Sequence, residues 1–156
     1  MNKLVFLFLF SLIVSSHAQS PDKKGKYNVL FIIADDLTAT AVSSYESTVS
    51  KTPNIDKLAM EGTRYTRAYS QYPVCGPSRA SLMFGYYPHA TQTFGYVSGR
   101  KQVGDKRKSW SQLFKDNGYY TARVSKIYHM GVPIDIETGS NSQDDTASWT
   151  ERFNSQ

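Results

Sequence analysis

Cysteine is almost missing: one occurs in 156 residues, Cys75. A lone cysteine excludes an intramolecular disulfide framework and any zinc site built from cysteines only. It leaves room for one chemically special sulfur. Charge of a single sign is also scarce, since 18 Lys and Arg face 13 Asp and Glu for a formal balance of +5. A nucleic-acid surface needs a broader basic stripe and a recognisable module, and neither is present. The densest basic stretch, Arg100-Lys101 with Lys106-Arg107-Lys108, is broken by Gly104 and Asp105 and reads as a solvated loop. Beside a pocket, such a loop would attract an anionic substrate. There is no internal repeat and no N-x-Ser/Thr sequon. With 40% hydrophobic and 20% charged residues, the composition excludes collagen-like, low-complexity and wholly disordered chains. The length suits one domain at most.

Long apolar runs are limited to Leu4–Val14, too short for a comfortable membrane span. No stable membrane insertion is therefore expected. Met1-Asn2-Lys3 gives this run a basic start, and Ser15-Ser16-His17-Ala18 supplies small residues before a cut after Ala18. That layout is a secretory signal peptide, residues 1–18. The expected destination is secreted or periplasmic, or lysosomal if the source has lysosomes. Residues 19–26 form a polar leader.

Beyond the leader, Tyr27-Asn28-Val29-Leu30-Phe31-Ile32-Ile33-Ala34 is a continuous β-branched and aromatic run that ends in Asp35-Asp36. It reads as a strand buried on both faces of a parallel sheet. Thr52-Pro53 opens a helix with Ile55, Leu58 and Ala59 on one side and Gly62 at its end. Thr63 to Ser70 reads as another strand, and Pro77 to Phe84 as a short helix stopped by Gly85. Ser109-Trp110-Ser111-Gln112 is a capping-box pattern, followed by Leu113 and Phe114 and stopped by Gly118. Tyr119 to Lys126 then returns as a strand. Alternating strands and helices predict an α/β fold, βαβ units around a largely parallel β-sheet flanked by helices. From Gly131 onward the chain is polar and irregular, without a closing element.

Two places carry chemistry. Asp35 and Asp36 sit at the carboxyl end of the expected strand, where parallel α/β folds bind ligands. Two close carboxylates repel unless a cation or proton neutralises them, and hard oxygen ligands favour Ca²⁺ or Mg²⁺. The alternative is an Asp-Asp pair that merely caps the next segment. The second place is Cys75-Gly76-Pro77-Ser78-Arg79. Pro77 suits the first turn of a helix, which puts Cys75 at a helix N-terminus where negative charge is favoured. Arg79, one turn on, adds a permanent cation with a planar donor fork. This chemistry points to a cysteine nucleophile acting on an anionic substrate.

Cys75-x-Pro77-Ser78-Arg79 resembles the signature of the formylglycine-dependent sulfatase family, in the alkaline-phosphatase superfamily. The resemblance extends, in order, to Asn28–Leu37, Thr52–Ala59, Gly118–Ala122 and Lys126-Ile127-Tyr128-His129 followed by Gly131. Within the family, Lys126-x-x-His129 and Asp144-Asp145…Ser148-Trp149 look most like the iduronate-2-sulfatase group. The resemblance implies an incomplete alkaline-phosphatase-like fold, with residues 27–156 as the N-terminal part of a longer catalytic domain. It implies that Asp35 and Asp36 match metal-binding carboxylates, usually for Ca²⁺, with Mg²⁺ as the alternative. It implies that Cys75 is converted by a formylglycine-generating enzyme and, as the aldehyde hydrate, supplies the nucleophilic oxygen and a metal contact.

Arg79 then matches the cation that steadies the hydrate, Lys126 a lysine contacting sulfate and hydrate, and His129 a histidine near the same oxygens. The implied substrate is a sulfate ester of carbohydrate, such as a 2-sulfated uronate. A hydrated aldehyde has a second hydroxyl, so the bound sulfate can be expelled as the carbonyl reforms, a route closed to Ser or Cys. Metal, Arg and Lys would stabilise the charge that develops. The alternatives are hydrolysis of phosphate or phosphonate esters within the same superfamily, or a non-catalytic, vestigial or carbohydrate-binding product.

The chain departs from the family pattern at Leu82-Met83-Phe84-Gly85-Tyr86, which lacks a Thr and an Arg common there. A second departure is Ser125, where a glycine commonly precedes the lysine. His89 carries no assigned role. The tyrosines Tyr86, Tyr87, Tyr96, Tyr119 and Tyr120 read as packing residues in preference to a sugar platform.

Overall fold

The structure, a computed structural model, describes residues 26–131 and 133–154. The signal peptide and the leader up to residue 25 lie outside the described residues. The chain divides into two units, residues 1–32 and 33–156. In the first, residues 26–32 carry no regular secondary structure, and Val29, Leu30 and Ile32 are exposed. No helix among the described residues is long and apolar enough to cross a membrane.

In the second unit, three-residue 3₁₀ turns at Ala39–Ala41 and Ser43–Tyr45 precede helix α1, Pro53–Glu61. Helix α2 is Cys75–Phe84, α3 Pro88–Thr91, α4 Gly99–Val103 and α5 Trp110–Asp116. Strand β1 (Ala122–Val124) is followed by α6 (Ile134–Glu137), a 3₁₀ turn at Thr146–Ser148 and strand β2 (Glu151–Phe153). The strands pair in parallel, Ala122 opposite Glu151, Arg123 opposite Arg152 and Val124 opposite Phe153.

The helix boundaries follow local chemistry. Proline stands in the first turn of α1, and Gly62 ends it. Helix α2 begins two residues before the expected Pro77, so Cys75 is itself the first helical residue. Gly85 ends it at φ 71°, a left-handed turn that glycine takes at no steric cost. Ser109 caps α5 by accepting from Gln112 N at 3.1 Å. The Gln112 side chain does not complete the capping box; it accepts from Arg100 Nη2 at 2.6 Å.

Two expected strands are absent. Tyr27–Ala34 and Thr63–Ser70 have strand-like composition but no regular structure. A strand exists through its ladder, and composition registers only suitability for a pleated surface. The two-stranded sheet among the described residues includes neither run. Tyr119–Lys126 contributes three strand residues of its eight. The terminal region is the opposite correction: it supplies β2 and buries Trp149.

The core lies beneath α2. Met83, Phe84, Val103, Tyr128 and Trp149 form one buried cluster, with Trp110 and Ile127 against it. Gly99 lets α4 approach α2 closely, since a Cβ there would stand 2.9 Å from Ala80 Cβ and 3.0 Å from the Phe84 ring. A buried polar network joins the same elements. Ser148 Oγ lies 2.6 Å from Ser109 Oγ and 2.9 Å from Tyr128 Oη, and donates to Asp145 Oδ2 at 2.6 Å. Arg100 closes it, with Nε and Nη2 on the two Asp145 oxygens at 3.0 and 2.8 Å. Arg100 is thus no solvated loop residue: it is an internal anchor, stacked over Phe84 and donating to Gly104 O and Arg107 O. A second internal ion pair, Arg123 to Asp144 at 2.7 Å, ties β1 to the terminal segment.

Candidate active site

Helix α2 presents Cys75 and Arg79 one turn apart on the same face. The first-turn N–H groups of Cys75 and Gly76 have no intrahelical acceptor and mark the positive end of the helix. Arg79 Nε donates to Cys75 Sγ at 3.3 Å, and Nη2 donates to Asp35 Oδ1 at 2.7 Å. Its Nη1 donates to the carbonyls of Lys126 and Ile127 at 3.0 and 2.9 Å. The guanidinium is buried, with a side chain 7% exposed. One side chain therefore joins the helix start, the acid at residue 35 and the segment leaving β1.

Lys126 completes the cluster. Its Nζ donates to Asp35 Oδ2 at 2.6 Å. Cys75 Sγ lies 3.9 Å from Asp35 Oδ1. Burial opposes ionisation of Asp35, but hydrogen bonds and charge from Lys126 and Arg79 override it, holding the carboxyl below its ordinary range. Two cations against one carboxylate leave a local positive charge around the sulfur. Such a field favours an anionic group and stabilises charge that grows during its transfer.

Lys126 reaches the site through strained backbone. Ser125 has φ 55°, left-handed backbone that a glycine adopts freely and a serine only at a cost. The departure at Ser125 thus falls where the chain turns sharply from β1 toward the site. Ser125 N donates to Phe153 O at 2.7 Å, and Arg123 Nη1 donates to Ser125 O at 2.9 Å, holding the turn.

His129 lies three residues further along the chain. Its ring stacks on Tyr96 with centroids 4.3 Å apart, and its Nδ1 is buried without a hydrogen-bond partner among the described residues. Burial lowers its affinity for a proton, and the charges of Lys126 and Arg79 act in the same direction against the weaker opposing fields of Asp135 and Asp35. The ring is therefore held neutral at physiological pH.

Of the residues singled out in the sequence, Asp35, Cys75, Arg79 and Lys126 meet, and His129 feels their charges. Asp36 stays exposed at φ 54°, outside that cluster. His89 stacks on Tyr87, also outside it. Among the described residues no three His, Cys, Asp or Glu side chains converge as a metal site. Asp35 is an ionised hard oxygen donor beside residue 75, so its chemistry fits a divalent cation. The donor number does not complete one, since Ca²⁺ takes 6–8 oxygens and both Asp35 oxygens hold cationic side chains.

Of the tyrosines singled out in the sequence, Tyr86, Tyr87, Tyr96 and Tyr120 are exposed, at 39%, 58%, 59% and 66%, yet Tyr87 and Tyr96 pack by stacking on His89 and His129. Sequence reasoning also missed Tyr96 and Gln143 beside His129, and the anchors Arg100 and Arg123. For Arg100, the signal available was an arginine followed at a distance by the Asp144-Asp145 pair.

The profile of the family described as Sulfatase matches residues 27–134. The chain is 32% identical to iduronate 2-sulfatase of Mus musculus over 141 residues, 90% of this chain and 24% of that protein. It is 33% identical to steryl-sulfatase of Homo sapiens over 145 residues, 87% of this chain and 24% of that protein. The crystal structure of Ps i-CgsB superposes with a TM-score of 0.60 at 31% identity, covering 80% of this chain and 27% of that one. The chain thus spans about a quarter of the length of these relatives. Its helices and parallel two-stranded sheet are part of the same α/β fold.

Proposed function

The chain belongs to the sulfatase family, and from that premise we propose that it carries one side of the active site of a sulfuric ester hydrolase. The observation that carries this reading is the convergence of Arg79, Lys126 and Asp35 on Cys75 at the start of α2. Cys75 Sγ marks the position of the reacting oxygen once a formylglycine-generating enzyme has converted the thiol to an aldehyde.

The roles of the side chains follow from their positions. Arg79 orients residue 75 through Nε and fixes the Lys126 segment through Nη1. Lys126 offers its ammonium to the sulfate oxygens, and Asp35 keeps the two cations from repelling each other before substrate arrives. His129, held neutral, can offer a ring N–H to an oxygen at residue 75 or of the sulfate. Asp35 and residue 75 are the ligands this cluster would give to a divalent cation, Ca²⁺ by the resemblance, and Asp36, outside the cluster, would join them only by turning inward. Such an ion, when bound, would polarise the sulfate oxygens. The hydrated aldehyde, when formed, would supply the nucleophile.

Similar identity to iduronate 2-sulfatase and steryl-sulfatase leaves overall likeness a poor guide to the substrate. The choice of a sulfated carbohydrate, as for iduronate 2-sulfatase, rests on Lys126-x-x-His129 and Asp144-Asp145…Ser148-Trp149. Asp145 and Asp144 pair with Arg100 and Arg123. Export rests on residues 1–18. The test is sulfate release by the full-length protein from 2-sulfated uronate saccharides, an aryl sulfate and the matched phosphate esters. Release from the saccharides, lost in Cys75→Ala, is expected; equal release by Cys75→Ala removes the proposal.

A further inference from the structure

Tyr96 is an exposed aromatic that packs on two parts of the site at once. On one side its ring stacks against His129, with centroids 4.3 Å apart and planes 27° from parallel. On another it lies against the start of α2: a Cβ added to Gly76 would stand 3.2 Å from Tyr96 Cδ1 and 3.1 Å from Gly95 O. The residue following Cys75 is thus small where Tyr96 comes close. Gln143 ties the same pair from the far end of the chain. Its side-chain amide donates to Tyr96 O, and its backbone N–H donates to His129 O at 3.3 Å. His129 Nδ1 and Gln143 Oε1 are both buried without a hydrogen-bond partner among the described residues.

An exposed tyrosine contributes little to a core, so packing alone does not account for this arrangement. A buried, unpartnered Nδ1 is tolerable as a bare lone pair and costly as an N–H. Enclosure at Nδ1 therefore selects the tautomer with its proton on Nε2, leaving Nε2 as the ring atom that can exchange with solvent or substrate.

We propose that Tyr96 and Gln143 are positioning residues that clamp His129, fixing its ring orientation and tautomer beside residue 75. This rests on the reading of His129 as a donor through Nε2 in a sulfatase site, but the clamp itself has consequences in the resting protein. The groups facing the ring are Lys126 and Arg79, which disfavour imidazolium, and Asp135 and Asp35, which favour it. Tyr96 adds no charge; its ring covers one face of the imidazole.

The test is long-range ¹H–¹⁵N correlation of histidine side chains in the full-length protein, with the His129 signal assigned by its loss in His129→Gln. The parent should show one dominant tautomer and a titration midpoint below the ordinary histidine range. Tyr96→Leu should move the midpoint up and give mixed tautomers, and Gln143→Ala should do the same to a smaller extent. Tyr96→Phe keeps the ring and should behave as the parent. In sulfate release, Tyr96→Leu should lower kcat about tenfold, with Tyr96→Phe restoring it. An unchanged His129 signal in both Tyr96→Leu and Gln143→Ala overturns the clamp. A shifted signal in a protein that releases no sulfate supports the clamp and counts against the proposed hydrolase instead.

Discussion

Helices α1 and α2 are nearly equal in length, and both carry proline in the first turn, yet they are held in opposite ways. No residue of α1 is buried. Its Ile55 and Leu58, on the side the sequence marks as apolar, are 45% and 66% exposed. What organises its start is a polar clasp: Thr52 Oγ1 accepts from Ser43 N at 3.0 Å, and Ser43 Oγ and Thr52 Oγ1 donate to Asp56. In α2, Gly76, Pro77, Arg79, Ala80, Ser81, Met83 and Phe84 are buried. Local chemistry suffices to start and stop a helix; only a partner surface gives it an interior. The site stands on the helix that has one.

The sharpest way to break this comparison is to truncate one apolar side chain in each helix. Met83→Ala should cost about 2–5 kcal/mol in urea unfolding, because Met83 is fully buried and leaves a cavity. Leu58→Ala should stay within about 0.5 kcal/mol. A Leu58→Ala cost near that of Met83→Ala would mean that the apolar side of α1 is covered, and the contrast would fail.

The polar contacts sharpen the contrast. Asp145→Ala should cost about 3 kcal/mol, since it strands Arg100 inside the protein. Ser43→Ala, which opens the clasp before α1, should cost about 1 kcal/mol. Gly99→Ala should destabilise by about 1–3 kcal/mol by forcing α4 off α2, read in the same unfolding experiment.

Ser125→Gly acts in the opposite direction and should stabilise by about 0.5–1 kcal/mol by relieving the left-handed backbone before Lys126. The pH dependence has two parts of opposite origin. Asp35 has a depressed pKa in the folded state, so its contribution is present above the ordinary carboxylate range and lost as pH falls through its folded value. His129 is also depressed, so the unfolded chain takes up the proton first as pH falls through the ordinary histidine range. Stability should therefore begin to fall there, and His129→Gln should remove that part of the pH dependence of the urea midpoint.

The sequence was most legible where a single residue decides the outcome locally. Gly85 and Gly62 end helices, Ser109 caps one, and Pro77 with Arg79 announced a helix start carrying a charged site. Cys75, Arg79, Lys126 and Asp35 were readable from the family pattern and do meet. Tyr27–Ala34 and Thr63–Ser70 were misread because a β-branched run records fitness for a sheet and says nothing of a neighbour. Arg100 was misread for the converse reason. Its partner Asp145 lies 45 residues away, and charge counting assigns an unpaired arginine to solvent. Tyr96 and Gln143 leave no pattern in sequence at all, since stacking and strapping across the fold have no spacing rule.

The proposed hydrolysis requires Cys75 to be the precursor of the nucleophile, not merely a thiol beside two cations. Peptide mass spectrometry of the segment containing Cys75, taken from full-length protein that releases sulfate, tests this directly. An aldehyde, or its hydrate, in place of the thiol is the predicted result. A fully retained thiol in active protein would contradict the account, whatever the cluster around it.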